Sequence, residues 1–487
     1  MSTLSLSLLA GAQGHGAAAA AAHGGHGAVS ASTTYLFTGL LVGLILCLAF
    51  EEKLHAKKSL IAGSFALLAL ALGGVFGILP FDAESAAKGA APLTNAFGEV
   101  LYHPVFIQGV DWGVIGIIFG ASVFVDVSAR SGLFTWIALR LTRASGGDPY
   151  RLLWAYGLMT VVFSAVLNNV TAMIIVGSLT GVSLERLERR EQLLGFLLIE
   201  GLLTNVGGLL TLISSVPNLL VGTAAGISFL RFFVVAAPYV LVATVVTIWV
   251  GARVAGIRAL DGEGERAAAA AKIEAFEGEG GIEHRGFFIL SAALLILFVI
   301  MIAAASALPV VNSLGMAFVA LSFAAVILWR YKAEVDQFYR EVDWDLLGFF
   351  IGLFAFINVI EHAQVLHLIG GWLSALIGLG AKLGTGALLI AASLFSSVTD
   401  NIPLAAMLAK ILSAQGTAGD SPLWWSVIFG ANLGGNLTPI GSASTLVAVT
   451  IMHKQGLAIS FAGFVKKALP FALIQLTLAT IYVLIFL

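Results

Sequence analysis

The residue of this sequence best suited to bind and release ions is Asp400, in the run SSVTDNIP at residues 396–403. Apolar residues flank the run on both sides, so it is predicted to lie within the membrane. A carboxylate there costs about 2.5 kcal/mol or more, which makes it a functional-site hypothesis. Pro403 and the polar run also interrupt a helix, which is tolerated at that depth only inside protein or beside a water-filled cavity.

Two roles are open for Asp400. An acid that must release H⁺ before it takes up a cation exchanges one for the other, because both cannot occupy it together. Alternatively, Asp400 is structural and accepts hydrogen bonds from backbone N–H groups that the helix break sets free.

The region around Asp400 has a counterpart earlier in the chain. Asp400 and Asn401 correspond to Asn168 and Asn169, which lie 232 residues earlier in the run SAVLNNVT. Further on the offset becomes 227, so that NLGG at 432–435 corresponds to NVGG at 205–208. Several matches in the same order indicate an internal duplication. Each half contains one polar interruption followed by a second.

The composition is that of a polytopic membrane protein. Of 487 residues, 59% are hydrophobic and 11% are charged, whereas about 25% are charged in soluble proteins. A net charge of −2 gives no reason to expect nucleic acid as a partner. The single cysteine, Cys47, excludes an intrachain disulfide and a cysteine metal cluster.

The charge pattern predicts two inverted repeats, at 34–255 and 287–487, joined by a charged cytoplasmic linker at 256–286. Arginine-rich segments flank the interruption at 168–169, so both ends of that hairpin are predicted to be cytoplasmic. The flanks of the second hairpin contain one lysine, Lys382, and no arginine, so that hairpin is predicted to open to the outside. The predicted final span is 468–487. The Ala-, Gly- and His-rich residues 1–33 are expected to be a disordered or cleaved leader, with the N-terminus on the outer side of the membrane, and a metal-binding tail is the alternative.

The second interruption of each half predicts a discontinuous helix, at 192–226 and at 423–452, because each segment is apolar, long and broken by polar residues. The fold predicted is therefore an all-α membrane protein in which each repeat holds a re-entrant hairpin and a discontinuous helix. Inverted repeats with such breaks are typical of secondary transporters, which bind substrate where the breaks meet.

The polar residues at the four breaks form the predicted substrate or ion site. Hydroxyl, amide and free carbonyl oxygens suit a hard cation such as Na⁺, while half-helix N-termini could hold an anion. A purely structural role, as hydrogen bonds between helices, is the alternative for any single residue. The predicted set is Asn168, Asn169, Thr171, Ser214, Ser215, Asn218, Thr399, Asp400, Asn401, Thr438, Ser442, Ser444 and Thr445.

Asp400 is the one acid at the four breaks and is the predicted ligand for transported Na⁺. Glu200, five residues before the break at 205, is either a second proton site or a residue near the cytoplasmic surface beside Arg189 and Arg190. Lys410 is expected to extend outward. No Lys or Arg is then predicted at the midplane, where a multiply charged anion would usually need one.

These motifs resemble the arsenite-permease/sodium–proton-antiporter (ArsB/NhaD) family of the ion transporter superfamily. The resemblance covers about 34–487 and rests on LNNVT at 167–171, TDNIP at 399–403, TNVGG at 204–208 and TPIGS at 438–442. The second-half motifs are also similar to the pigment-cell P protein. Many relatives have Asp where this chain has Asn168, and P-protein-like members have a Gly-Asp pair in the first unwound segment.

The resemblance implies a homodimer in which a transport domain, made of the hairpins and broken helices, slides like an elevator against a scaffold. It also implies that the hairpin tips and unwound segments line the substrate site.

The leading hypothesis is a proton-coupled Na⁺ or Li⁺ antiporter in a bacterial or archaeal inner membrane. The alternatives are efflux of a neutral metalloid acid, such as arsenite or silicic acid, and Na⁺-coupled uptake of an organic anion. The sequence contains no HExxH motif and no nucleotide loop, so an enzyme is not expected, and neither is a cofactor.

Overall fold

The computed structural model describes residues 29–79, 105–274, 282, 284–305, 307–330, 332, 335–399, 401–457 and 459–487. Asp400 and most of the predicted leader lie outside these residues. Within them all regular secondary structure is helical. Nine of the described helices are long and apolar enough to cross a membrane. The chain is therefore an integral membrane protein, as its composition predicts.

The first twelve described helices contain both breaks that the sequence predicts for the first half. A three-residue 3₁₀ turn, Arg190–Gln192, precedes the helix that starts at Leu193. The helices are α1 (Ala31–Ala49), α2 (Glu51–Leu54), α3 (Lys58–Val75), α4 (Val105–Gln108), α5 (Trp112–Ala129), α6 (Leu133–Ala144), α7 (Pro149–Val166), α8 (Asn169–Arg186), α9 (Leu193–Gly208), α10 (Val216–Ala224), α11 (Phe229–Val254) and α12 (Glu263–Glu274).

The later helices contain the other two breaks. They are α13 (Arg285–Ala303), α14 (Pro309–Arg330), α15 (Val335–Glu341), α16 (Trp344–His362), α17 (Val365–Ile377), α18 (Ala381–Val398), α19 (Asn401–Ala414), α20 (Pro422–Gly434), α21 (Ala443–Lys454) and α22 (Phe461–Phe486). Gly315 interrupts α14 with a φ of 79°, a left-handed conformation that glycine adopts without strain.

The chain divides into two compact units. The first comprises the described residues up to Asp111 together with Gly348–Leu368. In it α16 packs closely on α3, since a Cβ on Gly352 would lie 2.8 Å from the nitrogen of Gly63. Thr34 also donates a hydrogen bond to the carbonyl of Ala363 at 3.0 Å. This unit contains none of the predicted site residues.

The second unit comprises the described residues of Trp112–Leu347 and Ile369–Leu487. Its core includes two glycine-mediated helix pairs, α7 with α9 and α18 with α20. A Cβ on Gly207 would lie 2.7 Å from the Cα of Val161, and one on Gly434 would collide with the carbonyl of Ser393. The four breaks lie in this unit, which therefore holds the candidate site.

Two elements differ from the sequence-based expectations. The final helix begins at Phe461 rather than at 468, because Ser460 caps it by accepting a hydrogen bond from the Gly463 N–H at 3.1 Å. The linker contains a helix, α12, which its low apolar content did not indicate.

Candidate functional site

The first hairpin breaks where a side chain replaces a helical hydrogen bond. Leu167 has extended backbone geometry, and Asn168 caps α8 by accepting a hydrogen bond from the Thr171 N–H at 2.7 Å. At the second hairpin Thr399 likewise has extended backbone geometry, and α19 starts at Asn401, which is buried. Asp400, between them, lies outside the described residues.

Asn169 connects the first hairpin to the first discontinuous helix. The hydroxyl of Ser164 lies 2.7 Å from Asn169 Oδ1 and 2.6 Å from the carbonyl of Thr204. Asn169 Nδ2 donates to Asn205 Oδ1 at 3.3 Å. The hairpin tip is thus bonded to α9 at the position where α9 approaches its break.

A chain of amides then joins α9 to the second half of the sequence. Asn205 Nδ2 donates to Asn436 Oδ1 at 2.8 Å. Asn436 Nδ2 donates in turn to the Leu202 carbonyl at 3.1 Å and to Gln475 Oε1 at 2.7 Å. Gln475 Nε2 donates to Thr247 Oγ1 at 3.0 Å. Because the Leu202 carbonyl can only accept, this chain fixes which way each amide points.

The orientation leaves Asn205 Oδ1 facing the second discontinuous helix. Ser442 Oγ lies 3.0 Å and Ser444 Oγ 3.1 Å from that oxygen, and the two hydroxyls are 2.9 Å apart. All three side chains are buried. Three oxygen atoms in mutual contact share two hydroxyl protons, so they form a compact patch of oxygen donors of the kind that hard cations use.

A second set of contacts links the two discontinuous helices. Ser215 Oγ donates to Asn432 Oδ1 at 2.7 Å, and Asn432 Nδ2 donates to Asn218 Oδ1 at 2.8 Å. Asn218 Nδ2 closes the first unwound segment by donating to the carbonyls of Gly208, at 2.6 Å, and Thr211, at 2.9 Å. The hydroxyl of Ser214 is bonded within the same segment.

The unwound segment between α20 and α21 is organised around Thr445. Its single hydroxyl lies 2.8 Å from the carbonyl oxygen of Ser442, 3.2 Å from that of Pro439 and 3.3 Å from that of Gly435. Because one hydroxyl has one proton, it fully satisfies only one of these carbonyls. The carbonyls of Pro439 and Gly435 are therefore at most weakly bonded by Thr445, and they lie in the same unwound segment as Ser442.

The two halves make equivalent hydrogen bonds at residues related by the sequence offsets. Ser164 donates to the carbonyl of Thr204, and Ser396 donates to that of Ala431. In the same way, Thr211 donates to the carbonyl of Ala165, and Thr438 donates to the carbonyl of Ser397. The same positions that match in sequence therefore match in bonding, which supports the internal duplication.

Ten of the thirteen predicted residues fall into three groups, while Thr171 contributes its backbone N–H, Asn401 is buried and Asp400 lies outside the described residues. Ser215, Asn218, Ser442 and Ser444 bond across the two halves, whereas Asn169 bonds to Asn205 within the first half. Ser214, Thr438 and Thr445 bond within or beside their own break. The side chains of Asn168 and Thr399 instead bond locally at the hairpin breaks, Thr399 to the carbonyl of Phe395.

Sequence reasoning missed Asn205, Asn432, Asn436 and Gln475 as site residues. Asn205 and Asn432 were visible as a duplicated pair within the NVGG and NLGG runs. Gln475 was visible as an amide in an otherwise apolar final helix, where polar groups are costly. Asn436 follows the duplicated run but has Leu209 as its counterpart, so the duplication gave no signal for it.

Among the described residues of this unit, the buried charged side chains are acids. Glu200 is wholly buried in α9, so it does not lie at the surface beside Arg189 and Arg190. Asp148 is the other buried acid among the described residues and caps α7. No Lys, Arg or His is among their buried side chains. In the same residues no three His, Cys, Asp or Glu side chains are grouped as metal ligands.

The unit that holds the four helix breaks also has a polar core, which is the set of buried, hydrogen-bonded Asn, Ser and Thr side chains at those breaks. Such a membrane-embedded helical unit defines a membrane transporter. The family model described as "Citrate transporter" (CitMHS) matches residues 45–430. The chain therefore belongs to the CitMHS family, and it is a transport protein rather than an enzyme.

Curated relatives agree with this class. A 46 kDa membrane protein of Mycobacterium leprae is 31% identical over 399 residues, covering 80% of this chain and 89% of the relative. An uncharacterized transporter of Mycobacterium tuberculosis is 30% identical over 390 residues, covering 78% and 88%. The P protein of Mus musculus is 22% identical over 544 residues, covering 94% of this chain and 63% of the relative. The similarity to the P protein is confirmed, while the ArsB/NhaD assignment stays a prediction.

Two solved transporters share the fold. The YdaH transporter of Alcanivorax borkumensis superposes with a TM-score of 0.56 at 13% identity, covering 88% of this chain and 98% of that one. MtrF of Neisseria gonorrhoeae, assigned to a class of antimetabolite efflux pumps, superposes with a TM-score of 0.57 at 13% identity, covering 89% and 95%.

Proposed function

We propose that this transporter exchanges Na⁺ or Li⁺ for H⁺, with Asp400 as the carboxylate that holds either the proton or the cation. The observation that carries the proposal is the polar core itself, which presents neutral amide, hydroxyl and carbonyl oxygens without a buried basic side chain among the described residues. Oxygen donors in a dry site replace the hydration shell of a hard cation. Asp400 adds the negative charge that makes such a site select a cation.

The proposed cycle uses two inverted repeats. The equivalent hydrogen bonds of Ser164 and Ser396 support a duplication, and the charge pattern supports its inversion. We further propose an elevator-like movement of the hairpins and broken helices in a homodimer, in a bacterial or archaeal inner membrane, with the N-terminus outside and the linker 256–286 in the cytoplasm.

The second candidate function is Na⁺-coupled transport of an organic anion. The family description favours it. The N-termini of α8, α10 and α21 also begin at the breaks, where their free N–H groups are suited to a carboxylate. Such a site would have to hold a multiply charged anion without a buried Lys or Arg among the described residues.

Purified protein in liposomes tests these functions, with an internal pH-sensitive dye for cation–proton exchange and radiolabelled solute for uptake of arsenite or citrate. After a proton gradient is imposed, NaCl, LiCl, KCl, arsenite or citrate is added to wild type, Asp400→Asn and the control Asp420→Asn. Asp420 is an exposed acid in the same half of the chain. We expect Na⁺ or Li⁺ to collapse the gradient in wild type and Asp420→Asn but not in Asp400→Asn.

The other outcomes separate the alternatives. If arsenite alone moves, the metalloid alternative replaces the antiporter. If citrate moves only when Na⁺ is present, the organic-anion function replaces it. Normal exchange by Asp400→Asn would show that Asp400 is structural.

A further inference from the structure

Glu200 is a buried acid that the polar core does not use. Its side chain is 0% exposed. Oε1 accepts a hydrogen bond of 2.6 Å from Thr180 Oγ1 of α8, while Oε2 is buried and has no hydrogen-bond partner within the described chain. Helix α21 packs against the same stretch, since a Cβ on Gly201 would lie 2.8 Å from that of Ala448.

This environment is unsuited to a permanent charge. A buried carboxylate without a counter-charge is far more costly than a buried neutral acid, so the closed pocket without a bound cation favours Glu200 with a proton attached. A residue that served packing alone would not need an acid at all. A titrating group inside a membrane protein is a functional-site hypothesis.

No charged group of the neighbouring helices pairs with Glu200. No ion pair involves it in the part of the chain described. On α7 the nearest candidate is Tyr156, whose hydroxyl is instead bonded to Thr142 at 2.7 Å and Ser183 at 2.8 Å. The other titratable residues on the elements packed against α9 are Tyr150, Arg151, Glu185, Arg186, Arg190, Glu191, Arg231, Tyr239, Arg253, His453, Lys454, Lys466, Lys467 and Tyr482.

The position of Glu200 relates it to the candidate ion site. It precedes Asn205 by five residues on the same helix, which is about 7.5 Å along the axis. A cation held at Asn205, Ser442 and Ser444 would therefore attract an ionised Glu200 through a medium of low dielectric. Binding of a cation at the breaks would therefore oppose binding of a proton by Glu200.

We propose that Glu200 is a second proton-binding group of the transport cycle, separate from Asp400. The inference rests on the proposed Na⁺/H⁺ exchange. When the helices around Glu200 part and water reaches Oε2, the O–H bond breaks and the proton passes to water. The carboxylate then returns with the cation bound nearby. One proton from each acid is exchanged for one Na⁺, so each cycle moves one net positive charge across the membrane.

Membrane potential is the variable that tests this stoichiometry. Liposomes containing wild type, Glu200→Gln or Glu188→Gln are given a potential with valinomycin and a K⁺ gradient, and Na⁺-driven pH changes are recorded. Glu188 is an exposed acid whose partner is Lys272. We expect the exchange rate of wild type and Glu188→Gln to depend on the potential. Glu200→Gln should keep Na⁺/H⁺ exchange through Asp400 and lose that dependence.

Three results would overturn the proposal. They are a wild type indifferent to the potential, a Glu200→Gln variant that still responds to it, and a well-folded Glu200→Gln variant with no exchange at all. Size-exclusion chromatography and thermal melting establish the folding of each variant.

Infrared spectroscopy tests Glu200 without reference to the transported ion. We expect a protonated-carboxyl C=O band that shifts in D₂O, decreases as the pH is raised and is missing in Glu200→Gln. If wild type moves neither Na⁺ nor Li⁺, the proposed function fails and this band alone decides about Glu200. A spectrum in which Glu200→Gln removes no titrating band refutes the second proton site.

Discussion

Replacing Asn205 with alanine tests whether the amide chain holds the two halves together. The substitution removes the bond to Asn436 at 2.8 Å and the contacts with Ser442 and Ser444 at 3.0 and 3.1 Å. Interhelical hydrogen bonds in membrane proteins contribute about 0.6 kcal/mol each. An orphaned buried acceptor, here Asn436 Oδ1, costs about 1–3 kcal/mol. The three lost contacts and the orphaned acceptor together predict that the free energy of unfolding falls by about 3–5 kcal/mol.

The assay is SDS-induced unfolding in mixed micelles, followed by circular dichroism. Asn312→Ala is the matched control, because Asn312 is exposed on α14 and the same atoms are removed. The reasoning would be refuted if Asn205→Ala shifted the unfolding midpoint no further than Asn312→Ala. In that case the Asn205–Asn436 contact makes no net contribution to stability.

Three further changes test other contacts. Gly207→Ala should destabilise the protein by about 1–3 kcal/mol through overpacking, measured by the same unfolding assay, whereas Gly39→Ala, with nothing within 4 Å of its Cβ, should not. Thr211→Val and Thr438→Val should each cost about 0.6 kcal/mol, and clearly unequal midpoints would contradict equivalent bonding in the two halves. The hydrogen bond from Lys272 lowers the pKa of Glu188 below its usual 4.5, so any stability from this pair is present above pH 4.5 and is lost as the pH falls through the lowered value. Deuterium uptake by α12 should therefore differ between wild type and Glu188→Gln at neutral pH and be the same for the two proteins in strong acid. An equal difference at both pH values would refute the stabilising role of the Glu188–Lys272 pair.

The helix breaks were predictable because their chemistry is local. Asn168 caps the helix that follows it, and prolines and glycines interrupt apolar runs that would otherwise be regular. The start of α22 was harder to place, because Lys466 and Lys467 resemble the end of a membrane span. Only the cap provided by Ser460 shows that the helix begins before them.

The pairing across the core could not be derived from the sequence. Asn205 and Asn436 are separated by 231 residues, and their contact depends on how two helices are rotated and spaced after packing. The duplication identifies Asn432 as the residue equivalent to Asn205, but it does not identify the hydrogen-bond partner of Asn205, which is Asn436. The burial of Glu200 was undecided for the same reason, since an acid seven residues into α9 could face either protein or the surface.

The amide chain also has a consequence for synthesis. α9 emerges from the ribosome with Asn205 long before its partner, because 231 residues must still be translated before Asn436 follows. At about 5–20 residues per second this interval is roughly ten to fifty seconds. Gln475, which anchors Asn436, follows only after a further 39 residues. Until then Asn205 Nδ2 lacks the partner that it has in the folded protein, so truncation before α22 should lower the yield of folded protein.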